Sequence, residues 1–220
     1  MSKVAILIDG WFMRKRIIET NAFWYEGKSI REYCLKHLRA QDDLYRIFYY
    51  DTPPLALTVE HPITGNQIDF GNTLVARDQN ELFRSLKRTS NMALRLGKTV
   101  WMNSNWVLSP EKTRALLRKE ITVNDLLPGD VHPQIQQKAV DMKIGLDMAS
   151  LALKKLVDRV VIISGDSDLV PAIKLARTEG LVVGLDPLWS SIADDLAEHI
   201  DYVSTYIEFP GGKSQKDLKA

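Results

Sequence analysis

Two short apolar runs, Val4-Ala5-Ile6-Leu7-Ile8 and Val160-Val161-Ile162-Ile163, restrict the fold more than any other feature of this chain. Both read as buried strands, and each ends abruptly at acid: Asp9-Gly10 after the first, Ser164-Gly165-Asp166-Ser167-Asp168 after the second. Helical patterns follow each run, near residues 11–21 and 169–179. Strands that alternate with helices predict an α/β fold, a parallel sheet with helices on both faces. In such a sheet ligands sit outside the carboxyl ends of the strands, so acids distant in sequence can meet at one rim.

The remaining segments fill out that plan. Residues 30–38 are predicted as a second helix, and the aromatic-rich 44–50 as a strand that stops at Asp51-Thr52-Pro53-Pro54. Residues 52–76, punctuated by Pro and Gly, are long for a connection and read as an insertion in the middle of the chain, with room for a hairpin. Residues 77–96 are expected to form one long amphipathic helix ending at Gly97, and 98–102 a short strand. Residues 110–119 are expected to be helical with Ser109 as N-cap. Residues 77–130 are read as mostly helical, and 120–137 show no clear pattern. A nearly buried helix is expected over 141–157, a strand over 181–185 and a helix over 190–200, with a disordered tail from 209. With 220 residues this amounts to one domain, 1–208.

Composition excludes several function classes. Cys34 is the only cysteine, so neither an intrachain disulfide nor a cysteine zinc site is available. The four histidines show no ligand spacing, and no glycine-rich phosphate loop is present. No apolar stretch approaches the length needed to cross a bilayer, and Asp9 interrupts the first apolar run, which argues against a signal peptide. The expectation is a cytoplasmic protein without membrane partners. Net charge is +1, so a nucleic-acid partner would need local basic clusters. Self-association into a homo-oligomer is left open.

The acids carry the chemistry. Asp9, Asp141 and Asp166 stand in an order that an α/β sheet can bring together, and Asp168 either caps the helix that follows it or joins the group. Clustered carboxylates repel one another unless a cation or a proton intervenes. Mg²⁺ or Mn²⁺ bound there would activate water and stabilise charge on a phosphoryl oxygen, which points to phosphodiester hydrolysis. Any one such Asp is more often a strand-end or cap residue; the combination favours a metal. Ser164 or Ser167 would hold a water, and Lys138, three residues before Asp141, would steady a phosphate. Asp147 projects about 120° away from Asp141 on a regular helix and suits a supporting role or an ion pair.

Ile8-Asp9-Gly10, then Lys138-Ala139-Val140-Asp141, then Ser164-Gly165-Asp166-Ser167-Asp168-Leu169-Val170-Pro171 resemble the NYN domain, and more narrowly its LabA-like branch. The NYN domain belongs to the PIN-like superfamily of metal-dependent nucleases, many of them ribonucleases. The resemblance spans most of residues 1–205. It implies a Rossmann-like PIN fold and places Asp9, Asp141, Asp166 and Asp168 in the metal site. Many members carry Asn three positions after the first Asp, where this chain has Phe12.

Signals for RNA are local. Arg77, Arg84, Arg88 and Arg95 fall near one line of the expected 77–96 helix, either as a row that tracks a phosphate backbone or as a solvated face. Arg14, Lys15 and Arg16 follow Asp9 closely enough to hold substrate phosphates. Trp11, Phe12, Trp24 and Tyr25 are candidates for stacking on unpaired bases, or for core and lid positions. The sequence therefore predicts a Mg²⁺- or Mn²⁺-dependent endoribonuclease acting on single-stranded RNA, with a non-catalytic RNA- or protein-binding regulator as the alternative. A haloacid-dehalogenase phosphatase ranks low, because Trp11 stands where its second Asp belongs. A Toprim domain ranks low as well, because it would carry Glu at Asp9.

Overall fold

A computed structural model describes residues 1–208. In chain order its elements are β1 (Ser2–Asp9), α1 (Gly10–Thr20), α2 (Gly27–Leu35), β2 (Asp42–Asp51), β3 (Thr58–Glu60), β4 (Gln67–Asp69), α3 (Leu74–Arg88), β5 (Met92–Leu96), β6 (Lys98–Leu108), α4 (Pro110–Leu117), β7 (Val131–Lys138), α5 (Val140–Leu153), β8 (Arg159–Ile163), α6 (Val170–Thr178), β9 (Val182–Asp186), α7 (Asp194–Ala197) and β10 (Tyr202–Val203). The chain divides into two units. The first comprises residues 1–51, 81–97 and 139 onward; the second comprises 52–80 and 98–138. The insertion expected at 52–76 is thus the first part of a larger one.

The first unit is a six-stranded sheet in the order β10-β9-β8-β1-β2-β5, with every neighbouring pair parallel. From β1 the chain steps outward through β2 to β5, then returns to β8 and steps the other way through β9 to β10. The strand order therefore reverses between β1 and β8, and such a reversal opens a crevice at the carboxyl edge. Side chains alternate across the sheet. Val4, Ile6 and Ile8 pack with α1, α2 and the Leu82-Phe83-Leu86 stretch of α3, while Ala5 and Leu7 pack with α5 and α6 on the opposite face. The central strands are buried on both faces, which is why they read as unbroken apolar runs.

Gly10 is fixed by a close approach at the β1–α1 junction. A Cβ there would lie 2.5 Å from Cε1 of Tyr49 and 2.6 Å from the Tyr50 carbonyl oxygen, and the carbonyl belongs to a central strand that cannot give way. Gly10→Ala is expected to destabilise the protein by about 1–3 kcal/mol, read as a lower urea midpoint at unchanged slope. A midpoint equal to wild type would show that the junction is loose.

The second unit contains two antiparallel pairs, β3 with β4 and β6 with β7. The first is the hairpin expected within 52–76. In the second, the register shifts between Trp101 and Trp106, with Asn103 and Ser104 at positive φ, and the Trp101 indole donates to the Asn105 carbonyl at 2.7 Å. His61 packs against Trp106 and donates from Nε2 to the Pro128 carbonyl at 3.1 Å, while its Nδ1 accepts the Ile63 N–H at 3.2 Å. Both ring nitrogens are occupied by the fold. Ser109 caps α4 as expected, accepting the Lys112 N–H.

Four expectations are corrected. The helix expected over 77–96 is α3, which stops at Arg88; Asn91 turns the chain at φ 62°, and Met92–Leu96 becomes β5, paired with β2. Arg95 therefore lies on a strand, and the four-arginine row does not exist. Residues 120–137, without a clear pattern, and the region 77–130, read as mostly helical, include strands β5 and β6, and β7 begins at Val131. Helix α5 is buried only along Val140, Ile144, Met148, Leu151 and Ala152; Met142, Leu146 and Leu153 are exposed. Apolar residues all round a helix hid which face packs. Last, the 190–200 helix is only α7, because Leu188 and Trp189 take positive φ and lead an irregular approach to it. The tail expected to be disordered, 209–220, lies outside the described residues.

Candidate active site

Three adjacent parallel strands, β8, β1 and β2, bring acids to one edge of the sheet. Asp9 is the last residue of β1 and the N-cap of α1, where its Oδ1 accepts the Phe12 N–H at 3.0 Å. Asp51 is the last residue of β2 and is buried. Beyond β8, Ser164 is buried and its Oγ accepts the Asp166 N–H at 3.2 Å; Asp166 in turn accepts the Asp168 N–H at 2.9 Å. The cap of this turn is therefore Asp166, and Asp168 stands exposed in the turn itself. Asp141 lies in the first turn of α5, exposed, after Ala139 in a left-handed conformation.

These acids sense one another. Burial pushes the Asp9 carboxyl up to about 6; the Phe12 N–H pulls it down, and the charges of Asp141, Asp51 and Asp166 add to the rise. Asp141 is also raised, by burial first and then by Asp166 and Asp168. Among the described residues no group of three or more His, Cys, Asp or Glu side chains stands close enough together to hold a metal ion as it is arranged here. The donor set is nonetheless entirely carboxylate oxygen, and the neighbouring carboxylates add to the burial that raises Asp9 and Asp141. That chemistry fits a hard divalent cation.

Phe12 occupies the floor between the strand ends. A Cβ on Gly165 would meet Cε2 of its ring at 2.9 Å, so the ring lies directly on the Gly165 backbone. On the other side of β1, the Tyr25 and Tyr49 hydroxyls lie 2.8 Å apart, and both reach the Gly10 carbonyl, at 3.2 and 3.3 Å.

The basic candidates separate. Arg14 is half-buried, and its charge favours ionisation of the Tyr25 and Tyr49 hydroxyls, which places it beside the rim. Arg16 is committed internally: Nε and Nη2 donate to the Leu188 carbonyl at 3.0 Å each, and Nη1 pairs with Glu19. Arg84 and Arg88 are exposed on α3. Lys138 closes β7 in the second unit, exposed and opposite Lys98. Asp147 accepts from the Tyr50 hydroxyl at 2.9 Å and pairs with Arg95 at 3.0 Å, which settles it as an ion-paired residue.

Asp51 was missed by the sequence reading. The signal was present, since it ends a strand just as Asp9 does, but the Thr-Pro-Pro that follows read as a turn. Asp186 ends β9 in the same way and has a different fate. Fully buried, it accepts from Tyr33 (2.5 Å), Thr205 (2.7 Å) and the Leu188 N–H (2.9 Å), and lies 3.0 Å from His37 Nε2. Asp186→Asn would turn an amide donor toward these donors. It is expected to cost on the order of 2 kcal/mol, visible in chemical denaturation. An unchanged midpoint would contradict this account of the network.

A parallel sheet whose acids gather where its strand order reverses agrees with the PIN-like class of fold that the NYN resemblance implies. Within it this chain belongs to the NYN domain family, whose profile matches residues 68–207. Asp9 precedes the matched segment, and pairing of β1 between β2 and β8 brings it to the same rim. Curated relatives include an uncharacterized protein of Methanocaldococcus jannaschii, 24% identical over 90 residues (40% of this chain, 38% of that one). Another, from Sinorhizobium fredii, is 31% identical over 81 residues (36% of this chain, 38% of that one). The matched segment thus spans well under half the length of either relative. A crystal structure of a protein of unknown function from Vibrio parahaemolyticus is similar over 92% of this chain and 91% of that one, at a TM-score of 0.48 and 15% identity. Among the described residues no helix is long and apolar enough to cross a membrane.

Proposed function

We propose that this protein is a divalent-metal-dependent nuclease of the LabA-like branch, an endoribonuclease that hydrolyses phosphodiester bonds of single-stranded RNA in the cytoplasm. The observation that carries the reading is the approach of Asp9 and Asp166 at the edge where the strand order reverses between β1 and β8, near enough for Asp141, Asp51 and Asp166 to add to the burial that raises the Asp9 carboxyl to about 6. Asp9, Asp141, Asp166 and Asp168 would hold the ion, Mg²⁺ or Mn²⁺. Once bound, it supplies an activated water and neutralises charge on the phosphoryl group.

The chain's own residues set the geometry. The Phe12 N–H fixes one oxygen of Asp9, and Ser164 and the Asp168 N–H fix the turn that presents Asp166. Arg14 would hold a substrate phosphate, with Lys138, Arg84 and Arg88 as further candidates, whereas Arg16 serves the Leu188 carbonyl. Gly10, clamped under the Tyr49 ring, keeps Asp9 in register with α1. The test is cleavage of labelled RNA and DNA, single- and double-stranded, with Mg²⁺, Mn²⁺ or chelator. Metal-dependent cutting of single-stranded RNA is expected.

One observation favours a second reading. Phe12 stands where many NYN-domain proteins carry a polar Asn, and its ring lies on Gly165, the residue before Asp166. A regulator that binds RNA or protein without cutting would show RNA binding and no cleavage with either ion.

A further inference from the structure

Of the five aromatic residues from Trp11 to Tyr25, three are committed to the fold, and Phe23 among them stacks on Tyr25 and Tyr33. Phe12 lies on Gly165, and the Tyr25 hydroxyl is held at the Gly10 carbonyl. The other two are not: Trp11 is 55% exposed and Trp24 81%. Tryptophan is enriched at contact surfaces, where its ring supplies a large apolar face and its N–H a polar handle.

Their placement is specific. Trp11 follows Asp9-Gly10 in the first turn of α1, so it stands at the carboxyl edge of the sheet beside the acids. Lys15, one turn further on, holds its ammonium 5.4 Å from the Trp11 ring centroid. Trp24 immediately precedes Tyr25, whose hydroxyl donates to the Gly10 carbonyl at 3.2 Å. An apolar protein partner laid on Trp11 would have to desolvate the Lys15 ammonium. A ligand with a flat ring and an adjacent anion satisfies both groups.

We propose that Trp11 and Lys15 form a subsite for one nucleotide of an unpaired strand, the base stacked on the indole and its phosphate on the ammonium, with Trp24 as a second stacking position. Bases in a duplex hide their faces against each other, so this subsite selects single strands. Its role in cleavage rests on the nuclease reading; its binding does not.

The test is binding of a fluorescently labelled single-stranded RNA in chelator, with an abasic site walked along the oligonucleotide. Wild type, Trp11→Ala and Lys15→Ala are compared, and circular dichroism confirms their fold. Trp11→Ala is expected to weaken binding by roughly 10-fold or more and to remove the penalty of one abasic position. Lys15→Ala is expected to reduce the salt dependence by about one unit of slope. Three results would overturn the subsite: no single-strand binding by wild type, an abasic penalty that persists in Trp11→Ala, or a change in self-association as the main effect of Trp11→Ala in sedimentation. RNA binding with this pattern but no cleavage under either ion would leave the subsite standing and end the nuclease reading. Metal-dependent cleavage with wild-type binding in Trp11→Ala would do the reverse.

Discussion

Asp9→Asn is expected to make the metal-free protein more stable. The Asp9 carboxyl is raised to about 6 in the fold, against a reference value of 3.8. The folded protein therefore binds more protons than the unfolded chain between those values. Stability associated with the group is full below about pH 4 and is lost as pH rises through about 6. Above that the penalty is about 3 kcal/mol. Asn carries no charge and still accepts the Phe12 N–H as an N-cap. In chelator at pH 7.5 the variant should melt roughly 6–12 °C above wild type, and the gap should close toward pH 4. Saturating Mg²⁺ should then stabilise wild type and leave the variant little changed. Equal melting temperatures at both pH values would mean that the acids of the rim do not strain the fold.

Asp166→Asn is the second large effect, and it falls on activity. Asp166 is held from two sides: the Ser164 hydroxyl accepts its N–H, and its carboxylate accepts the Asp168 N–H. Asn preserves the size of the side chain and one accepting oxygen, so the turn should survive and the melting temperature should change by only a few degrees. What is removed is a unit of negative charge from the proposed metal site. Loss of one group that acts on developing charge typically costs about 100-fold or more in rate. Metal-dependent cleavage should fall by at least that factor in a folded variant. Retained cleavage would place the chemistry elsewhere in the chain.

The sheet was legible because its central strands are short apolar runs with no alternation, and because Asp and Gly punctuate their ends. The approach of Asp9 and Asp166 to one edge was legible for the same reason: Asp9 directly follows one run, and Asp166 stands three residues beyond the other. Elsewhere local pattern misled. Met92–Leu96 carries apolar residues and an arginine at spacings that also suit the preceding helix, and only pairing with β2 shows that it is a strand. Val131–Lys138 is Gln-rich and largely exposed, with nothing in its composition to mark a strand until β6 lies beside it. Asp51 and Asp186 look alike in sequence as strand-end acids. Their surroundings are a tertiary property: a ring of donors holds Asp186, and Asp51 lies close enough to Asp9 to help raise its carboxyl. The aromatic residues show the same limit, since Trp11 and Phe12 are neighbours that the fold sends to opposite fates.

The most direct test of the central claim is a calorimetric Mn²⁺ titration near pH 6 of wild type and Asp9→Asn. Wild type should bind the ion saturably and release protons, because a carboxyl raised to about 6 is part-protonated there and must ionise to become a ligand. The variant should lose most of both the affinity and the proton release. Binding of equal strength in the two proteins, or no saturable binding in wild type, would contradict the assignment of the acidic rim as a metal site.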